Sequence, residues 1–302
     1  MTDFKREGNP TADFGIIGGT GLYDMKGIEG LKTVELNTPF GRPSDAYITG
    51  SLEGKNVAFL SRHGRGHKRL PSEINYRANI YGFKMLGVSR IISVNSVGSL
   101  KDEIKPTDIV FPDQFYDKTY RENTFFGEGL AAHIGFAHPV CPDLSGLLYK
   151  TGKSLGLRVH DKGTYVCIQG PHFSTIAESH LHRMWGCDVI GMTSATEAKL
   201  CREAEICYAA MSLVTDYDVW HESEGPVSVE MILANMEKNV SSAQNIIRSA
   251  LKVIPERSES TCECRDALKN CIVTHPEAIS PDTQKRLSLL VDKYLKSAEK
   301  GK

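Results

Sequence analysis

The chain has no apolar run of membrane-spanning length, and no apolar signal core follows its start. These two absences argue against a membrane-spanning protein and against secretion. The polar stretch 1–13 reads as a flexible N-terminal tail. Neither sign of charge is in excess, with 36 Lys and Arg against 37 Asp and Glu. That balance removes the electrostatic case for nucleic acid as the main ligand. It also favours burying surface in an oligomer over mutual repulsion. Internal repeats and low-complexity tracts are lacking as well. At 302 residues the chain is long enough for a sheet covered by helices on both sides.

The familiar nucleotide loops are missing. Gly18-Gly19-Thr20-Gly21 lacks the Gly-Lys-Ser/Thr ending of a Walker loop. If Gly19 and Gly21 are set on the dinucleotide fingerprint, Asp24 stands where its third glycine belongs. Cysteine is present, eight times, but scattered and mostly in apolar contexts, which suits buried thiols. Cys262-Glu263-Cys264 is the one close pair. A zinc site wants four ligands in recognisable pairs, so this reads as an ordinary or loosely redox-active pair, and no metal is expected.

What is present is a set of six apolar, β-branched runs, each ending in ligand-grade residues. Phe14–Ile17 runs into the Gly18–Gly21 turn, and Val57–Leu60 into Ser61-Arg62-His63-Gly64. Arg90–Val94 runs into Asn95-Ser96, and Tyr165–Ile168 into Gln169–Phe173. Val189–Gly191 meets Met192-Thr193-Ser194, and Ala209–Val214 ends in Thr215-Asp216-Tyr217-Asp218. Ligands sit outside the carboxyl ends of strands in open α/β sheets, so all this chemistry is expected along one rim. Helical spacing marks 72–86, 145–155, 174–185, 195–204 and 227–254. Residues 35–51 alternate like a hairpin, and 255–279 read as loop. Ser280-Pro281-Asp282 then starts a last helix, whose stripe of Leu287, Leu290, Val291, Tyr294 and Leu295 must bury itself on its own domain or on a neighbour. Alternating strands and helices argue for an α/β fold.

Several residues suit an anion. The Gly18–Gly21 turn offers amides and the Thr20 hydroxyl, though a plain tight turn explains it equally well. Arg62 and His63, adjacent at a strand end, suit a dianion such as phosphate. Thr193 and the Asn95-Ser96 turn add donors. Asp216 and Asp218 lie two apart and can face one side of an extended segment, for acid–base work or for reading a ring that bears donors. The plainer reading is a helix cap and a solvated acid. Phe173 can stack on a flat ring or fill core.

Taken in order, these motifs resemble the trimeric purine nucleoside phosphorylase family, in its S-methyl-5′-thioadenosine phosphorylase branch. The resemblance runs from about Phe14 to about Asn270. It rests on 15–22, on 38–45 (Thr-Pro-Phe-Gly-Arg-Pro-Ser-Asp), on 62–64 with His67, and on 75–80 (Asn-Tyr-Arg-Ala-Asn-Ile). It continues through 98–100, 113–115, Gly170-Pro171-His172-Phe173-Ser174, Met192-Thr193 and 215–220. It implies a single-domain α/β fold with a central mixed β-sheet flanked by α-helices: a phosphorylase domain over 14–279, followed by a helical extension over 280–302. It also implies phosphate-dependent cleavage of methylthioadenosine to adenine and 5-methylthioribose 1-phosphate, with no cofactor, phosphate being a co-substrate. Carried over position by position, Thr20, Arg62, His63, Ser96 and Thr193 form the phosphate site. Asn95, Phe173, Ser174 and Met192 border ribose and base, and Asp216 and Asp218 face N7 and N6 of the purine. Val229, Ile232 and Leu233 line the 5′ pocket, and His133 is lent to a neighbouring subunit of a homotrimer. The implied location is cytoplasmic, the nucleus included. Asn95, where adenosine-type relatives carry Thr, and His172, where Arg is usual, keep two rivals in play: a phosphorylase of adenosine or 6-oxopurine nucleosides, and a non-enzymatic nucleotide sensor on the same fold.

Overall fold

The β-branched runs come together in one sheet, with helices against both of its faces. The computed structural model describes residues 11–19, 22, 25, 27–221, 229–255 and 262–299, with side chains left out at 229–234 and 296–299. Thr20 and the side chains of Val229, Ile232 and Leu233 therefore lie outside the described residues, as does most of the 1–13 tail. The strands are β1 (Phe14–Gly18), β2 (Glu29–Val34), β3 (Tyr47–Leu52), β4 (Lys55–Ser61), β5 (Arg90–Ser99), β6 (Ile109–Phe111), β7 (Gln114–Asp117), β8 (Val159–Asp161), β9 (Thr164–Cys167), β10 (Val189–Gly191) and β11 (Cys207–Asp216). The helices are α1 (Tyr76–Met85), α2 (Pro142–Ser154), α3 (Ile176–Met184), α4 (Ser194–Glu203), α5 (Val229–Val253) and α6 (Pro281–Glu299).

Side-chain alternation sorts the layers. Phe14 and Ile16 of β1, Ile92 and Val94 of β5, and Ala209 and Met211 of β11 pack on one face with Leu144 and Leu148 of α2 and Ile246 and Ile247 of α5. Ile17, Ile91, Tyr208 and Ala210 point the other way, to Tyr81 and Phe83 of α1, Ala198 and Leu200 of α4, and Leu287 of α6. This is the period-two consequence of the pleat, and it explains why the central strands read as continuous apolar runs: both faces are buried.

Strand β5 is the hub. Strand β11 runs parallel along one edge of it, from Cys207 opposite Arg90 to Asp216 opposite Gly98, with a bulge between Val214 and Asp216. Its other edge is shared. Strand β1 pairs in parallel only as far as Ile17 opposite Ser93. Strand β10 pairs antiparallel, with Ile190 opposite Gly98 and Val189 opposite Ser99. Between these two partners, residues 94–97 have no ladder partner on that edge. The ligand-bearing ends of β1 and β10 thus approach the middle of β5 from opposite directions. The expectation of a single rim needs correcting to that extent: β1, β4, β5 and β11 point one way, β9 and β10 the other.

Two further expectations shift. The hairpin expected over 35–51 is built from β2 and β3 instead, with 35–46 as connection. Pro39 and Pro43 cannot donate to a ladder, and Thr38 turns the chain by bonding the Gly41 carbonyl at 2.7 Å. The last helix closes on its own chain: Leu287, Leu290 and Val291 are buried with Tyr81 and Phe125, and the Tyr81 hydroxyl donates to the Arg286 carbonyl at 3.1 Å.

Candidate active site

The interruption in the sheet is where the polar residues gather. Strand β5 is buried at every position except Ser96, whose side chain is exposed within it. A lone exposed hydroxyl in the middle of a buried strand means that the strand borders a solvent-filled recess there. Just past β10, Thr193 is the N-cap of α4, is 5% exposed, and makes no side-chain bond to the helix it caps. The first amides of α4 and the positive end of its dipole lie beside it, an arrangement suited to an anion. Asn95 faces the opposite way from Ser96. Its amide donates to Ser194 Oγ at 3.0 Å and its oxygen accepts from Ser212 Oγ at 3.2 Å, which ties β5, α4 and β11 together.

Arg62 is placed by the end of β4, where its backbone N–H donates to the Gly18 carbonyl at 3.0 Å. The side chain is 2% exposed, and its charge is met by Glu197 in the first turn of α4. Nε donates to Glu197 Oε1 at 2.5 Å, Nη1 to the Val94 carbonyl at 3.0 Å, and Nη2 to Ser93 Oγ at 2.8 Å. Ser93 Oγ in turn donates to Glu197 Oε2 at 2.6 Å, and the Tyr208 hydroxyl adds a bond to the same oxygen at 3.1 Å. Burial opposes the guanidinium charge, but Glu197 outweighs it and holds the Arg62 pKa up. A longer bond from Nη2 to Glu197 Oε2 at 3.5 Å occupies a fourth of the five N–H groups, so one on Nη1 is left for a ligand. Charge neutralisation by Glu197 was not legible in the sequence, where Glu197 is simply an acid in a helical stretch.

His63 follows on the rim. Its Nδ1 lies 2.8 Å from the Arg69 carbonyl, and since a carbonyl only accepts, Nδ1 carries the proton and Nε2 a lone pair. Burial first, then the Arg62 charge, lowers its pKa to about 4, so the ring is neutral at pH 7. It stacks on His67 with centroids 4.2 Å apart. The same turn lines an open cleft with Ser44, Asp45, Arg65, Lys68, Arg69 and Glu73, where three cations face two carboxylates and Arg65 pairs with Asp45 at 3.6 Å.

The carboxyl pair ends β11. Asp216 accepts from the Thr215 hydroxyl at 2.7 Å and from the Asp218 amide at 2.8 Å. Asp218 accepts from Ser179 Oγ of α3 at 2.5 Å. It has φ of +54°, a conformation that Asp tolerates better than most residues. Burial raises its pKa and neighbouring Asp216 raises it further, against the pull of Ser179. Gly98 is required opposite: a Cβ there would come within 2.8 Å of Asp216 Oδ1. The helix-cap reading of these acids therefore does not describe either of them.

Phe173 is half exposed, so it does not fill core, and the Ser174 hydroxyl is enclosed without a well-formed hydrogen bond. The Met192 side chain lies against Gly170, where a Cβ would meet its sulfur at 2.6 Å. Arg121, which the sequence reading passed over, braces this wall: it donates to the carbonyls of Met192 and Gln169 at 2.6 Å each and to the Tyr76 hydroxyl at 2.8 Å. Asn235 and Asn239 of α5 donate to the carbonyls of Thr215 and Val214 at 2.8 and 2.9 Å, which sets the start of α5 beside the acids. His133 is far from the recess in sequence and exposed, with its backbone bonded to Cys271.

A family model described as the phosphorylase superfamily matches residues 13–252. An S-methyl-5′-thioadenosine phosphorylase of Geobacter sulfurreducens is 54% identical over 283 residues, 93% of this chain and 98% of that protein. One from Koribacter versatilis is 50% identical over 96% of this chain and 99% of its own length. Among solved structures, a methylthioadenosine phosphorylase sourced from an Antarctic soil metagenomic library superposes with a TM-score of 0.89 at 46% identity, covering 94% of this chain and all of that one. A methylthioadenosine phosphorylase from Schistosoma mansoni, in complex with adenine, gives 0.80 at 35% identity over 86% of this chain and 97% of its own.

Proposed function

The chain belongs to the phosphorylase superfamily, within its S-methyl-5′-thioadenosine phosphorylases, and we propose that the recess beside Ser96 is where it splits methylthioadenosine with phosphate. The observation that carries this reading is the meeting of three elements in the interrupted sheet: exposed Ser96, the Thr193 end of α4, and the Asp216–Asp218 pair.

Phosphate attacks C1′ of the ribose. The C1′–N9 bond breaks, and its electron pair leaves with the purine. Positive charge grows on the sugar and negative charge on the base, so a fixed anion on one side and a donor near N7 on the other lower the barrier. Thr193, the α4 amides and Ser96 hold the phosphate. The one remaining Nη1–H of Arg62 and the hydroxyl of Thr20 complete the set. Neutral His63 accepts the P–OH proton of hydrogenphosphate at Nε2, which orients the attacking oxygen. Asp216 and Asp218 take the purine edge, Phe173 and Ser174 its face, Met192 the ribose side, and the start of α5 with Val229, Ile232 and Leu233 the methylthio group. Asn95, turned away from Ser96 and bonded at both ends of its amide, supports the site from behind rather than touching substrate.

The same reading makes the molecule a homotrimer, with His133 reaching a neighbour's pocket. An apolar surface supports it: Tyr116, Ile176, Met184 and Trp185 are all exposed on or beside β7 and α3, with the Tyr116 and Trp185 rings 4.8 Å apart. The purified chain should release adenine from methylthioadenosine only when phosphate is present. Release in phosphate-free buffer would make it a hydrolase, and no release in either condition would favour the sensor reading.

A further inference from the structure

The eight cysteines are not as scattered in space as they are in sequence. Cys141, Cys207, Cys262 and Cys264 bring their four sulfurs within 4.8 Å of one another. The Cys207 and Cys262 sulfurs are 3.4 Å apart, in contact and not covalently bonded. Three of the four residues are buried. They come from three places: the N-cap of α2, the first residue of β11, and a Cys-X-Cys stretch whose Cys262 caps, and whose Cys264 lies within, the 3₁₀ turn Glu263–Asp266. The missing second pair, on which the sequence reading dismissed metal, is supplied by two residues 66 positions apart in the chain.

We propose that these four thiols form a structural zinc site, separate from the phosphorolytic recess. In tetrahedral thiolate zinc, bonds of about 2.3 Å put the sulfurs about 3.8 Å apart. The four sulfurs here need to close by about 1 Å at most to reach that geometry, a shift that χ1 adjustments supply. A larger iron–sulfur cluster would need them further apart.

The frame is already rigid. The Cys141 amide donates to the Tyr208 carbonyl at 2.8 Å, and the Cys207 amide to the Ser89 carbonyl at 3.0 Å. The Leu268 amide donates to buried Glu205 at 3.1 Å, which holds the Cys-X-Cys turn against the loop between α4 and β11. On binding, Zn²⁺ displaces four thiol protons to solvent and leaves a net charge of −2 on the cluster. The Arg202 charge lies close enough to act on Cys264 and offsets part of the negative charge. The Cys141 sulfur also sits at the positive end of α2. Cys207 and Asp216 are at opposite ends of β11, roughly 30 Å apart at a strand rise of about 3.3 Å per residue. The metal therefore takes no part in the reaction. It staples the C-terminal segment, and α6 beyond it, to the sheet.

The test uses the full-length chain, purified without chelator from cells grown with zinc. Elemental analysis should find about one zinc per chain. Exchange with cobalt(II) should give thiolate-to-cobalt charge-transfer bands and the strong visible bands of a tetrahedral site. Replacing Cys262→Ser together with Cys264→Ser should lower metal content at least about tenfold and leave the rate of phosphorolysis unchanged at low temperature. If that variant does not fold, alkylation of the wild-type protein decides: these four cysteines should be protected until a chelator withdraws the zinc. Zinc-exposed protein that holds less than about a tenth of an equivalent would overturn the proposal, whether its four thiols alkylate at once or are found joined as disulfides.

Discussion

In the proposed reading, Asp218 is the residue on which the choice of base turns. As a carboxylate it only accepts, which matches the N6 amine of adenine and opposes the O6 of a 6-oxopurine. Asp218→Asn restores a donor and should narrow the adenosine-to-inosine ratio of kcat/KM by about tenfold, chiefly through better inosine turnover. The raised pKa adds a sign. As pH falls through it, the wild-type side chain gains a proton and becomes a donor, so the wild-type ratio should narrow toward acid pH while the Asn variant stays flat. A wild-type ratio independent of pH, with an unaltered variant, would remove Asp218 as base reader. Arg62 poses a different problem, because its charge is already paired. Arg62→Ala alone strands Glu197 in the core, at a cost of about 3–5 kcal/mol in stability. Combined with Glu197→Gln, stability should largely return while kcat/KM for phosphate stays about a hundredfold low, if the remaining Nη1–H serves the transition state. Recovery of both in urea unfolding and in kinetics would make Arg62 purely structural.

At the scale of elements, α4 joins the site to the rest of the molecule. Its first turn neutralises Arg62, and its last turn carries Glu203, which receives the Thr124 hydroxyl and the Phe125 amide at 2.6 Å each. Burial outweighs those bonds and raises the Glu203 pKa from 4.5 to about 7. The native state therefore holds this proton more tightly than the unfolded chain does. The resulting stability is fully present below the ordinary carboxylate range and is lost as pH rises through about 7. Glu203→Gln cannot ionise, so its stability relative to wild type should rise by about 2–3 kcal/mol between pH 5 and pH 8. Denaturant melts at the two pH values measure this, and a constant difference would mean that Glu203 titrates normally.

At the scale of the whole molecule, the exposed face of β7 and α3 is the feature a monomer explains least. Sedimentation should give about 100 kDa, three times the 33.3 kDa chain. Met184→Lys, placing a charge on a side chain that is 82% exposed, should leave the fold intact and shift the mass toward 33.3 kDa. Activity should fall with assembly, since His133 would lose the pocket it completes. A fully active monomer would sink the shared-site reading. The last helix has no part in this test, because its apolar stripe is already covered by Tyr81, Phe125 and their neighbours.

The sequence by itself determined the parts whose physics is local. Apolar β-branched runs became the central strands. The helix expected over 195–204 begins at Ser194, and that expected over 174–185 begins at Ile176, opened by a Thr175–Glu178 capping box. The order of the Arg-His-Gly, Gly-Pro-His-Phe and Thr-Asp-Tyr-Asp motifs carried the family, and with it the reaction. Tertiary structure decided everything that depends on residues distant in the chain. Only the folded chain shows that Glu197 neutralises Arg62 across 135 positions, or that β10 comes to β5 from the direction opposite to β1 and leaves Ser96 open. Only there do Cys141 and Cys207 join a pair that looked too lean for metal. Local signals report what one stretch of backbone prefers, whereas burial, pairing of charges and the gathering of ligands are set by which stretches the sheet brings side by side.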